Sequence, residues 1–299
     1  MAEAAAAKRY AVVTGANKGI GFGICKQLAS HGITVLLTAR DETRGLEAVE
    51  NLREFGFSDR VIFHQLDITD PASIATLENF INTHFGKLDI LVNNAGILGS
   101  TIDGDALKAF GPPGERGENI DWNKVTSQTS ESAEAGVRTN FYGAKGMCEA
   151  LIHLLKLSDS PRIVNVSSGG GKLEKIPSGW AKDVLSDVES LTEEKLDEVL
   201  NQFLKDFKEN ALEAKGWPTV MPAYTVSKAA LNAYTRILAN KFPSFCINAV
   251  CPGYVKTDIN NNTGIFSVDE GAECIVKLAL LPDGGPSGLF FYRSQVDSF

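Results

Sequence analysis

Tyr10-Ala11-Val12-Val13-Thr14-Gly15-Ala16-Asn17-Lys18-Gly19-Ile20-Gly21 is a short apolar run that breaks into glycines and continues as a helix-patterned stretch to His31, closed by Gly32. The run has the length of a buried strand, and the stretch after it has helical length. Glycines between the two permit a tight turn and let backbone N–H groups approach a pyrophosphate, which also meets the positive end of the helix. Glycines alone mark only a turn; their position between the first strand and the first helix points to a dinucleotide.

Six further runs of strand length follow: Thr34 to Thr38, Val61 to Leu66, Ile90 to Val92, Arg162 to Ser167, Ile247 to Cys251 and Gly288 to Tyr292. Their near-continuous hydrophobicity suits strands covered on both faces. Helical stretches lie between them, for example Pro71 to Phe85, with Asp70 placed to cap its start and Gly86 to end it. The alternation predicts a doubly wound, seven-stranded parallel α/β sheet of the Rossmann kind, with chemistry at the carboxyl ends of its strands. Residues 1–299 read as one domain with insertions at about 99–135 and 170–221. The first insertion is polar and holds Gly111-Pro112-Pro113-Gly114, a surface excursion. The second carries a helix behind Thr192, between the fifth and sixth strands. Its apolar stripe of Leu196, Val199, Leu200, Phe203, Leu204 and Phe207 is expected to face the main core, the alternative being a partner surface.

With 43% hydrophobic and 22% charged residues, the composition is that of an ordinary globule, and a net charge of -8 argues against a nucleic-acid surface. The five cysteines are far apart and include no C-x-x-C pair, so buried reduced thiols are expected and no metal site is. No signal peptide and no membrane-length apolar run is apparent, which makes the cytoplasm the expected compartment.

An acidic residue ending the second strand would bond the ribose hydroxyls of NAD, but this chain has Thr38-Ala39-Arg40 there. Arg40 can grip a 2'-phosphate with its planar fork, and Lys18 can add a second charge, so NADPH/NADP+ is the expected cofactor. The bland alternatives are a surface ion pair for Arg40 and a solvated loop lysine for Lys18. Asp67, in Leu66-Asp67-Ile68, sits where a carboxylate can accept from the adenine amino group or simply hold a turn. Asn93-Asn94-Ala95-Gly96 offers amides for bonding between strands and a small-residue floor.

Tyr224 and Lys228 lie four residues apart on one helix face. A fixed positive charge there is expected to favour phenolate and to lower the phenol pKa from ~10 toward neutrality, as an acid/base catalyst needs. Such a pair is weak evidence alone. Ser168, just past the fifth strand, strengthens it, because it can donate to a carbonyl oxygen as charge builds there. Ser167 is the nearest rival.

Taken together, Thr14-Gly15 to Gly21, Asn93 to Gly96, Asn140, Ser168, Tyr224 with Lys228, and Pro252-Gly253 with Thr257 resemble the short-chain dehydrogenase/reductase family along nearly the whole chain. The resemblance implies sheet order 3-2-1-4-5-6-7 and a catalytic set of Asn140, Ser168, Tyr224 and Lys228, with Asn140 holding a water in a proton relay. It implies that Gly15, Asn17, Lys18, Gly19, Ile20, Gly21, Arg40, Asp67, Ile68, Asn94, Ala95 and Gly96 hold the cofactor, joined by Tyr224, Lys228, Pro252, Gly253, Val255 and Thr257. Most family members separate serine and tyrosine by about a dozen residues, far fewer than here. The long gap resembles the monomeric carbonyl-reductase branch and its plant secondary-metabolism reductases. It implies a monomer acting on a terpenoid, alkaloid or reactive aldehyde carbonyl. Some members of that branch reduce a conjugated carbon–carbon double bond and carry glutamate for the tyrosine, so retention of Tyr224 favours reduction of a ketone or aldehyde. An ene-reductase and a catalytically silent NADPH sensor are the competing expectations.

Overall fold

The computed structural model describes residues 8–57, 59–110 and 120–299. It opens with β1 (Tyr10–Val13), α1 (Gly19–Ser30), β2 (Thr34–Ala39), α2 (Glu42–Glu54), β3 (Val61–Gln65), α3 (Pro71–Phe85) and β4 (Ile90–Asn93). The first insertion follows: β5 (Thr101–Ile102), α4 (Gly104–Lys108), α5 (Trp122–Val125), β6 (Thr126–Ser127) and α6 (Ser130–Val137). A π-helical turn (Arg138–Gly143) leads into α7 (Ala144–Leu155) and β7 (Arg162–Val166). The second insertion holds α8 (Trp180–Ser186) and α9 (Glu193–Lys208), before α10 (Pro222–Lys241), β8 (Cys246–Cys251), α11 (Val268–Ala279), β9 (Phe290–Tyr292) and β10 (Gln295–Asp297).

The main sheet runs β10-β9-β8-β7-β4-β1-β2-β3. Leaving out β10, this is the implied order 3-2-1-4-5-6-7, and these seven strands are parallel throughout. The sheet nevertheless has eight strands: β10 adds to the edge antiparallel to β9, Gln295 opposite Tyr292. Its hairpin turn uses Arg293 at φ 56°, where such turns ordinarily carry glycine or asparagine, so the sequence gives no signal of it.

Local chemistry accounts for the helix ends. Asp70 accepts from the Ala72 N–H at 3.0 Å to start α3, and Gly86 ends it in the left-handed conformation. One core lies under α1, α2 and α11, with Ile24, Leu28, Val35, Leu37 and Ile275 fully buried. The other lies on the opposite face, under α3, α7, α10 and the inserted helices. The stripe of α9 belongs to it: Leu196, Val199, Leu200 and Phe203 are all 0% exposed, so it faces the main core. The first insertion builds a small cluster of its own around Leu107, Ile120 and Val125, while Gly111-Pro112-Pro113-Gly114 lies outside the described residues. All five cysteines are buried free thiols. Among the described residues, no helix is long and apolar enough to cross a membrane.

Candidate active site

A cleft of about 1350 Å³ opens along the carboxyl ends of the parallel strands. Its walls include all eighteen residues assigned above to the cofactor, from the glycine turn through Arg40, Asp67 and Asn94 to Thr257, together with Ser168.

The glycine turn has the shape of a cradle. Gly15 and Gly19 have φ of 62° and 55°, and a methyl group on Gly21 would meet Asn94 Nδ2 and the Gly15 carbonyl at 2.6 Å. Asn94 braces the turn by donating from Nδ2 to the carbonyls of Thr14 and Gly15, at 2.9 and 3.1 Å. The Thr14 hydroxyl accepts from the N–H groups of both Asn94 and Ala95. Helix α1 starts at this turn with no side-chain cap and no acidic residue in its first turn, whereas α2, α3, α9 and α11 are each capped by a side-chain oxygen. An uncapped positive helix end behind a glycine cradle fits a pyrophosphate.

At the adenosine end, Lys18 is already paired with Asp258 at 2.7 Å. Arg40 stands exposed at the end of β2 and makes no ion pair of its own among the described residues. Arg44 was not among the expected cofactor residues. It lies one turn into α2, and its charge, with that of Lys18, reaches Asp258. Arg40 lies before the helix, whose cap is Asp41, so no helical spacing marks Arg44 in the sequence. Asp67 uses Oδ1 to accept from the N–H and hydroxyl of Thr69, so it holds a turn while also lining the cleft.

At the other end, Ser168 leaves β7 and opens a short 3-10 turn, Gly169–Gly171, where its Oγ accepts from the Gly170 N–H at 3.0 Å. A methyl group on Gly170 would lie 3.4 Å from Ser168 Oγ and 3.6 Å from the Tyr224 ring, so serine and phenol flank one glycine. Ser167 is buried and donates to the Lys228 carbonyl at 3.5 Å, which turns it away from this position. Lys228 is 4% exposed, and its Nζ donates to the Val166 carbonyl at 2.7 Å while lying 5.9 Å from the Tyr224 ring centre.

The expected lowering of the phenol pKa is not found. Burial pushes Tyr224 up to about 12, eased only in part by the Ser168 hydroxyl and raised further by Cys251. Burial also lowers Lys228 to about 8. The ammonium spends its short hydrogen bond on a carbonyl, so desolvation outweighs its pull on the phenol. Tyr224 is therefore protonated at neutral pH.

Asn140 sits in the π-helical turn rather than on the cleft wall and is 1% exposed. Its Oδ1 accepts from the Ile97 N–H at 2.8 Å, and its Nδ2 donates to the Ile97 carbonyl and to Ser227 Oγ. Both amide hydrogens are thus engaged by protein, and the side chain fixes the floor at Gly96, where a methyl group would meet Asn140 Oδ1 at 3.1 Å and Lys228 Nζ at 3.4 Å.

Residues 9–179 match the family model described as short chain dehydrogenase, and residues 211–282 match one described as Enoyl-(Acyl carrier protein) reductase. A (+)-neomenthol dehydrogenase of Arabidopsis thaliana is 59% identical over 97% of this chain and 98% of its own length. A (-)-isopiperitenone reductase of Mentha piperita is 54% identical over 96% and 97%. The solved structure of salutaridine reductase from Papaver somniferum superposes with a TM-score of 0.91 at 54% identity, covering 95% of this chain and 99% of that one. The chain belongs to the short-chain dehydrogenase/reductase family and is an oxidoreductase. Proteins of this family use NAD or NADP.

Proposed function

We propose that this oxidoreductase reduces a ketone or aldehyde to an alcohol with NADPH, and that Tyr224 supplies the proton. The observation that carries the reading is the meeting of Tyr224, Ser168 and Lys228 in one cleft with the glycine turn. Bound NADPH would supply the hydride. Gly15, Gly19 and Gly21 with the start of α1 would hold its pyrophosphate, Arg40 and Arg44 its 2'-phosphate, and Lys228 its nicotinamide ribose. Ser168 donates to the carbonyl oxygen, and the protonated phenol of Tyr224 gives up its proton as negative charge gathers there. The Lys228 ammonium then steadies the phenolate left behind. Asn140 keeps Ile97 and the Gly96 floor in position beneath them.

The substrate end of the cleft is lined by Ile97, Leu98, Ile102, Trp122, Met221 and Tyr254, with the Trp122 and Tyr254 rings edge to face at 6.4 Å between centres. Such walls favour an apolar ring-bearing ketone of the terpenoid or alkaloid kind, in keeping with the substrates named by the relatives. Reduction of a conjugated double bond is the second reading, favoured by the name of the Mentha relative and opposed by the phenol at position 224. Product analysis after incubation with NADPH and an enone separates the two.

The whole chain is taken as one domain acting as a monomer, because α9 lays its apolar stripe over the side of α10 and leaves that face no partner to bind. A solution mass near 32.2 kDa agrees with this, and twice that mass contradicts it.

A further inference from the structure

The turn that carries Ser168 is held from two sides. On one side it presses on α10: a methyl group on Gly171 would lie 2.6 Å from the Lys228 carbonyl carbon, and the Gly171 carbonyl accepts from Asn232 Nδ2 at 3.1 Å. On the other side the chain leaves through Lys172, whose Nζ donates to both carboxylate oxygens of Asp297, each at 3.1 Å. Neither side chain of this pair is fully solvated, at 15% and 33% exposure. Asp297 belongs to β10, the edge strand that the sequence did not announce. The strand is fixed in turn by pairing with β9 and by Phe299, which lies against Phe290 and under the Arg236 guanidinium at 4.6 Å. Residues 125 positions apart thus meet at the exit of the Ser168 turn.

We propose that Lys172 and Asp297 are positioning residues: their ion pair fixes the Gly169–Gly171 turn and so the direction in which the Ser168 hydroxyl points. The link is physical. Ser168 Oγ is tied to the Gly170 N–H, so any rotation of the turn carries the hydroxyl with it, away from a carbonyl oxygen near Tyr224. Partly exposed ion pairs contribute little to global stability, so the pair acts on alignment rather than on folding. The inference rests on the assignment of Ser168 as the donor to the carbonyl.

The test is a cycle of four proteins: the parent, Asp297→Asn, Ser168→Ala and the double variant, each assayed for kcat, ketone KM, NADPH affinity and melting temperature. Asp297→Asn is expected to lower kcat about tenfold, with KM, NADPH affinity and melting temperature nearly unchanged. Lys172→Met should reproduce it. In the Ser168→Ala background the same Asp297 change is expected to have no further effect, because no hydroxyl remains to misalign. Equal losses in both backgrounds, or no loss in the parent, overturn the proposal. Ser168→Ala measured alone reports on the underlying assignment: a kcat matching the parent removes the donor role of Ser168 and the positioning role with it.

Discussion

Tyr224→Phe is expected to lower kcat for carbonyl reduction by about 10²–10⁴-fold, the range that a positioned proton donor contributes, and to leave NADPH affinity nearly unchanged. The substitution removes one hydroxyl and keeps the ring that lies against Gly170 and 5.9 Å from the Lys228 ammonium. Steady-state kinetics with fluorescence titration of NADPH separates the two effects. The pH dependence of the parent follows from the same geometry. With Tyr224 at about 12, the phenol stays protonated across the ordinary range and does not limit reduction there. Lys228, lowered to about 8 by burial, loses its charge first. Reduction is therefore expected to hold through neutral pH and to fall as pH rises through about 8, when the ammonium that steadies the phenolate is lost. A rate that instead climbs as pH rises above 8 would show that the Lys228 charge is not needed for the step.

Arg40→Asp is expected to weaken NADPH binding by about 10- to 100-fold, the worth of a charge-assisted bond to a phosphate, while NADH binding holds or improves. Lys18 is a poor substitute, since Asp258 already takes its charge at 2.7 Å. Arg44 is paired with Asp41 at 3.9 Å and compensates only in part. Dissociation constants for both cofactors, measured side by side at one ionic strength, read the change. Equal weakening of NADPH and NADH would mean that Arg40 holds the fold of the β2 end rather than a 2'-phosphate.

The seven parallel strands were legible because the inner ones are short apolar runs buried on both faces and the outer β3 and β9 keep enough of that pattern, and their ends agree with the structure to within two residues. Helix α3 was legible to the residue, since Asp70 and Gly86 punctuate it with unambiguous chemistry. What escaped is of another kind. Strand β10 has one apolar residue in three and a turn without glycine, so neither period nor punctuation marks it. The engagement of the Asn140 side chain by Ile97 and Ser227 and the pairing of Lys172 with Asp297 join positions 43 to 125 residues apart, and no local pattern records them. The direction of the Tyr224 shift was misjudged for a physical reason. Spacing on a helix gives the sign of the lysine's effect, but the depth of burial and the Val166 carbonyl that occupies the ammonium decide which effect wins.

The most direct test of the central claim is to incubate the purified protein with NADPH and a cyclic enone, which offers both a carbonyl and a conjugated double bond, and to identify the product. The arrangement of Tyr224, Ser168 and Lys228 predicts the allylic alcohol, with the double bond intact. A saturated ketone would contradict it, because the hydride would then have gone to the β-carbon of the enone rather than to its carbonyl carbon.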